Sequence, residues 1–146
     1  MINLKNASIF GLFLAIFGMV MLVFRDSLFA TNPVSISIQV IAGMLMLWAR
    51  ISFGMRSFHA AANPTAGGLV TSGPYKYLRH PIYAAIIYFL WAGISAHPQA
   101  VNFILGLLVS GGLFLRMLAE EKLVKEIYPE YEDYAAKTKR LIPFIF

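Results

Sequence analysis

The sequence predicts an all-α fold: a polytopic helical membrane protein with about four transmembrane helices and cytoplasmic C-terminal helices. Three observations carry this expectation. Composition is 59% hydrophobic against 13% charged, and mean hydropathy is +0.70, well above the habit of soluble domains. Long uncharged runs cover residues 6–24 and 81–115. Charge is concentrated instead in a few connections and in a tail, residues 116–146, with six cations and six acids. A chain of 146 residues is a single domain, 1–146. The lack of cysteine excludes disulfides and thiolate metal sites. His59, His80 and His97 do not have metal-site spacing, so no metal is expected. Cytoplasmic cationic loops account for the net charge of +5, and no nucleic-acid partner is implied.

The first span, about 8–24, opens on Ile9-Phe10-Gly11-Leu12-Phe13 and has close to the minimum length for a crossing. Lys5 ahead of an apolar run is also the pattern of a signal peptide. Leu28-Phe29-Ala30 is a poor cleavage site, however, so the segment is expected to be retained. Arg25, Asp26 and the turn Thr31-Asn32-Pro33 separate it from a second span, about 34–50, with Pro33 in the first helical turn. Gly11, Ala15, Gly18, Ala42 and Gly43 permit close helix packing. Trp48 and Arg50 mark the interface. Ile51-Ser52-Phe53-Gly54-Met55-Arg56-Ser57-Phe58-His59 then reads as a short amphipathic piece on the membrane surface, within a cytoplasmic loop, 51–80.

The uncharged run 81–115 is too long for one crossing and is broken at His97-Pro98. It therefore predicts a hairpin of two spans, about 81–96 and 100–116, followed by a cytoplasmic tail, 117–146. The connection 50–79 has four Lys or Arg and no acid, and the tail has six more cations, whereas the two other connections hold only Arg25. This asymmetry puts the long connection and both termini in the cytoplasm.

One stretch stands out chemically: Gly67-Gly68-Leu69-Val70-Thr71-Ser72-Gly73-Pro74-Tyr75-Lys76-Tyr77-Leu78-Arg79-His80-Pro81-Ile82-Tyr83. Glycines let backbone approach a ligand closely and prolines stiffen the loop, so it reads as a ligand site at a membrane surface. Tyr83 lies one turn beyond His80, so both rings can face one pocket, although His80-Pro81 also suits a plain helix start. Arg116 and Glu120 share a helix face. Arg116 and Glu120 read as a surface ion pair at a helix end, or, with Glu121 beside them, as functional charges at membrane depth. Tyr128, Tyr131 and Tyr134, spaced by three on one helix, read as a packed face.

Leu69-Val70-Thr71-Ser72-Gly73-Pro74-Tyr75, then Arg79-His80-Pro81-Ile82-Tyr83, then Arg116 with Glu120-Glu121, then Tyr131-Glu132-Asp133-Tyr134 and Arg140-Leu141-Ile142-Pro143, resemble the isoprenylcysteine carboxyl methyltransferase family, relatives of phospholipid N-methyltransferases. The resemblance runs from about residue 50 to the C-terminus. It implies an integral membrane enzyme using S-adenosylmethionine, with its site on the cytoplasmic side. The implied cofactor contacts are Gly67, Gly68, Leu69, Val70, Tyr75, His80, Pro81, Ile82, Tyr83 and Glu120. Arg116 would face the methyl acceptor, with Arg79 as a second cation. Ala60 stands where eukaryotic relatives have a cofactor-binding glutamine, and neighbouring His59 is a candidate replacement. Ala85 and Tyr128-Pro129 are further departures. The acceptor is expected to be lipophilic or small and membrane-accessible: an isoprenylcysteine carboxylate, a phospholipid amine or a thiol. Two rivals are an NADPH-dependent reductase of the related sterol reductase type and a non-enzymatic membrane scaffold.

Overall fold

The structure, a computed structural model, describes residues 4–54 and 68–146. Gly67, His59 and Ala60 lie outside the described residues. Five α-helices follow in order: α1 (Leu4–Phe24), α2 (Pro33–Phe53), α3 (Pro81–Ala96), α4 (Ala100–Ile127) and α5 (Tyr131–Lys137). A 3-10 turn, Gly73–Lys76, precedes α3. The described residues contain no strand, only an isolated parallel bridge between Leu78 and Lys139. The chain is thus an all-helical membrane protein. Helices α1, α2 and α4 are long and apolar enough to cross a bilayer, and α3, at 16 residues, is shorter.

The helices pack as two pairs, α1 along α4 and α2 along α3. A β-carbon placed on Gly11 would strike the carbonyl of Gly112, and one on Gly112 would strike the carbonyl of Gly11. One on Gly18 would lie 2.5 Å from Val109 Cγ2. The pair therefore runs antiparallel, with backbones in contact where the side chain is absent. The buried face of α1 is Ser8, Gly11, Ala15, Gly18 and Leu22, while Phe10, Phe13 and Phe17 point outward. Lipid tails are as apolar as these rings, so small residues go to the helix interface and bulky ones to the bilayer. Leu22, Leu28, Leu90, Ile94, Leu105 and Val109 close the core between the pairs.

Polar side chains lock the end of the bundle that holds the short connections. Asn32 Oδ1 caps α2 by accepting from Ser35 N at 2.9 Å, with Pro33 at the first helical position as the sequence predicts. Gln39 Nε2 donates to Leu28 O at 2.8 Å and Phe89 O at 3.0 Å, and Arg25 Nε donates to Asn102 Oδ1 at 2.8 Å. Each satisfies backbone or amide groups that lipid cannot.

One boundary differs from the sequence reading. Residues 51–53 continue α2 instead of opening a separate surface piece; the rest of that piece, from residue 55 on, lies outside the described residues. Helix α4 runs on without a break past residue 116, 28 residues in all, to Ile127, which keeps Arg116 and Glu120 on one helix face as the sequence predicts. Residues 117–127 are rich in Leu, Glu, Lys and Ala, which favour helix, and nothing breaks them until Tyr128 adopts extended backbone ahead of Pro129. At a rise of about 1.5 Å per residue α4 is about 42 Å long, more than the roughly 30 Å of hydrocarbon. A helix of that length is more than one crossing needs.

Candidate functional site

At the end of the bundle opposite the polar lock lies a cavity of about 310 Å³. That is near the lower end of the roughly 300–1,000 Å³ typical of small-molecule sites. Leu12 of α1, Arg50 and Phe53 of α2, residues 68–70 and the start of α3 contribute to its walls. Helix α4 supplies Leu113, Arg116, Glu120 and Val124, spaced 3, 4 and 4 apart so that they form one stripe. Tyr128 at the end of α4, and Tyr131 and Tyr134 of α5, cover it.

Two carboxylates organise the charges. Glu120 Oε1 accepts from Tyr83 Oη at 2.6 Å and lies 3.0 Å from Arg116 Nε, which also donates to Tyr83 Oη at 2.7 Å. The three groups form a closed triangle that fixes each side chain. Glu121 is buried and sits among cations. Arg140 donates from Nε to both carboxylate oxygens at 3.1 and 3.2 Å and from Nη2 at 3.0 Å, and Arg79 Nη1 lies 3.3 Å away. Hydrogen bonds to Glu121 raise the Arg140 pKa above its ordinary value. His80 joins the two acids: Nε2 is 3.1 Å from Glu121 Oε1, and Nδ1 is 4.0 Å from Glu120 Oε2. Its ring stacks on Tyr83 at 5.6 Å between centroids.

Burial pushes the phenol of Tyr131 up to about 12, and burial likewise raises those of Tyr75 and Tyr134. These rings stay neutral at physiological pH, so they offer π faces and hydroxyl groups rather than a base. Tyr134 Oη donates to the Tyr75 carbonyl at 2.7 Å, tying α5 to the 3-10 turn.

Of the residues singled out in the sequence, Gly68, Leu69, Val70, Tyr75, Arg79, His80, Ile82, Tyr83, Arg116 and Glu120 all line this cavity. Pro81 is buried in the first turn of α3, off the cavity wall. Gly67 lies outside the described residues. The sequence reading gave no site role to Arg50 and Phe53, and none to Glu121 and Arg140, which it quotes only within the motifs and, for Glu121, among the charges at the helix end. It also misplaced the tyrosines, because Pro129 splits them between the end of α4 and α5. Tyr131 is buried as expected of a packed face, yet all three rings also border the cavity. Arg50 and Phe53, three apart, were legible only as an interface cation and a surface aromatic.

A family model for the isoprenylcysteine carboxyl methyltransferase (ICMT) family matches residues 33–126, well over half of the chain. The chain belongs to this family. The match spans α2, the whole stretch leading into α3, and nearly all of α4, and so includes both Glu120 and Glu121. Among curated proteins, the cobalt-zinc-cadmium resistance protein CzcN of Cupriavidus metallidurans is 32% identical over 76 residues, covering 51% of this chain and 35% of the relative. The nickel-cobalt-cadmium resistance protein NccN of Alcaligenes xylosoxydans xylosoxydans is 30% identical over 77 residues, covering 51% of this chain and 36% of the relative. The similarity thus spans about a third of those relatives' length. No solved structure matches.

Proposed function

We propose that the chain is an S-adenosylmethionine-dependent methyltransferase acting on a lipophilic or small membrane-accessible acceptor, with the cavity under α5 as its site. Glu120 carries the reading. Its Oε1 is committed to Tyr83 and Arg116, while its Oε2 lies 4.0 Å from His80 Nδ1, beyond hydrogen-bond length. A carboxylate oriented in this way beside aromatic walls suits a ligand with an ammonium, a second cationic centre and a flat heterocycle. S-adenosylmethionine offers all three, and when bound supplies a methyl group on sulfonium for direct displacement by a nucleophile.

The protein's share of such a reaction is binding, alignment and exclusion of water. Glu120 accepts from the ammonium. Tyr75, Tyr83 and Tyr131 present neutral rings to the heterocycle and the cation. Arg116, held by Tyr83, offers a fixed fork of donors to an anionic or polarised acceptor, with Arg79 as a second cation. Leu12, Ile86 and Leu113 make the wall toward the bilayer apolar, which fits an acceptor arriving from lipid. Helix α3 supplies a fourth crossing, and the cavity, loop and both termini face the cytoplasm, as the cation asymmetry requires.

Thermal unfolding in detergent with S-adenosylmethionine, S-adenosylhomocysteine or NADPH tests the class. The first two should stabilise the protein, by about 2.7 kcal/mol at 100 times Kd. Stabilisation by NADPH alone would mean a reductase, and by none of the three, a scaffold. Labelled cofactor with isoprenylcysteine, phospholipid amine and thiol acceptors then identifies the acceptor. Reporter fusions after Asn63 and after Phe146 should both read cytoplasmic; an external signal from either would break the single-site arrangement.

A further inference from the structure

We propose that Glu121 and Arg140 are positioning residues for His80, which makes the C-terminal segment a working part of the site rather than an appendage to it. The inference rests on the cofactor reading above and assigns a job to the two charged residues that reading does not use.

The argument is a closed circuit of contacts. His80 N donates to the Arg140 carbonyl at 3.1 Å, the Arg140 guanidinium grips both oxygens of Glu121, and Glu121 Oε1 lies 3.1 Å from the His80 ring at Nε2. The same two residues therefore hold His80 by its backbone and by its ring. The backbone side is reinforced by the Leu78–Lys139 bridge, where Arg79 N donates to Lys139 O at 2.7 Å and Lys139 N to Tyr77 O at 3.1 Å. The guanidinium side is reinforced by Phe146, whose ring lies 5.5 Å from the Arg140 guanidinium carbon and stacks on Phe114 of α4 at 6.4 Å. Arg140 is thus fixed at its backbone, its charge and its flat face.

The consequence falls on the cavity. With Nε2 engaged by Glu121, His80 turns Nδ1 toward Glu120 Oε2 and lays its ring on Tyr83, 10° from parallel. Glu120 and Tyr83 are the groups that meet the cofactor in the proposed function. Arg79 alone cannot replace the grip, because it reaches Glu121 through one nitrogen at 3.3 Å, while the Arg140 fork spans both oxygens. Without Arg140, Glu121 is free to pivot about Arg79 and the His80 ring loses its fixed orientation.

A double-mutant cycle reads this directly. Affinity of the full-length protein in detergent for S-adenosylhomocysteine is measured by calorimetry in wild type, Arg140→Gln, Arg140→Lys, His80→Ala and the His80→Ala/Arg140→Gln double variant. Arg140→Gln should weaken binding about tenfold, the scale of a charge-assisted hydrogen bond, and Arg140→Lys should recover part of it. In the His80→Ala background, Arg140→Gln should change affinity less than twofold. An equal loss in both backgrounds, or no loss in either, overturns the proposal. If Arg140→Gln fails to give a cooperative melt, Arg140→Lys carries the same cycle. Nitrogen-15 histidine spectra of the ligand-free protein separate this idea from the cofactor reading. The His80 ring resonances, assigned by their loss in His80→Ala, should move in Arg140→Gln, and unmoved resonances overturn the positioning role. A wild type that binds no S-adenosylhomocysteine while those resonances still move sinks the cofactor reading and leaves the positioning of His80 standing.

Discussion

Replacing Glu121 by glutamine keeps the shape of the side chain and one acceptor oxygen but removes the charge that three neighbours share. Removing one partner of a fully buried ion pair costs about 3–5 kcal/mol. Here the Glu121 side chain is 10% exposed but that of Arg140 is 31% exposed, so water recovers part of the arginine's solvation. The glutamine also still accepts one hydrogen bond. The expected loss therefore falls to about 2–3 kcal/mol, the range of hydrogen bonds to charged groups. For a chain of this size each kcal/mol moves Tm by roughly 2–4 °C, which gives a drop of about 5–10 °C in a detergent melt. Glu132→Gln is the control, because Glu132 pairs with Lys125 at 2.6 Å but both side chains are mostly exposed, and no measurable shift is expected. A Glu121→Gln melt within 1 °C of the control would refute the reasoning. Glu121 would then face water, as one reading of a helix-end charge holds.

Three further outcomes follow from the same geometry. Glu120→Gln should weaken S-adenosylmethionine binding by about 1.5–3 kcal/mol by titration, and unchanged affinity would remove Glu120 from the cofactor site. Arg116→Lys and Arg116→Ala should retain cofactor affinity within a few-fold while turnover falls, with alanine worse. Loss of affinity with normal turnover at saturating cofactor would show instead that Arg116 only props Glu120 through their 3.0 Å pair. Gly112→Leu should destabilise by about 3 kcal/mol, because its β-carbon would meet the Gly11 carbonyl and lie 3.1 Å from Ala15 N. Gly111→Leu, next door but facing open space, should melt like wild type.

The last comparison shows what the sequence holds and what it does not. Gly111 and Gly112 are indistinguishable as small residues in an apolar run, and only the rotation of α4 against α1 tells them apart. The uncharged runs, the Asn32-Pro33 start and the His97-Pro98 break were legible because bilayer thickness and proline geometry act locally. That the fourth helix continues past Arg116 was legible from helix propensity, and the extended residue ahead of Pro129 ends it at Ile127. Glu120 and Arg116 were legible as a pair because they are four residues apart on one helix. The partners of Glu121 were not, since Arg79, His80 and Arg140 come from segments 42, 41 and 19 residues away, and no local pattern encodes such a meeting.

That meeting has a physical necessity behind it. Arg116, Glu120 and Glu121 stand on a helix that has just crossed the hydrocarbon, where an uncompensated charge is costly. Glu120 is balanced within its own helix by Arg116 and by Tyr83 from α3. Glu121 borders the same cavity but has no cation one turn back on α4, so its compensation is brought in from other segments. The 77–80 segment brings Arg79 and His80, and the tail brings Arg140; the backbone hydrogen bonds that join those two segments deliver their side chains to the same carboxylate. A tail released from residues 77–80 would withdraw a cation from a buried acid, so the backbone bonds that hold the tail and the ion pair that neutralises Glu121 support each other.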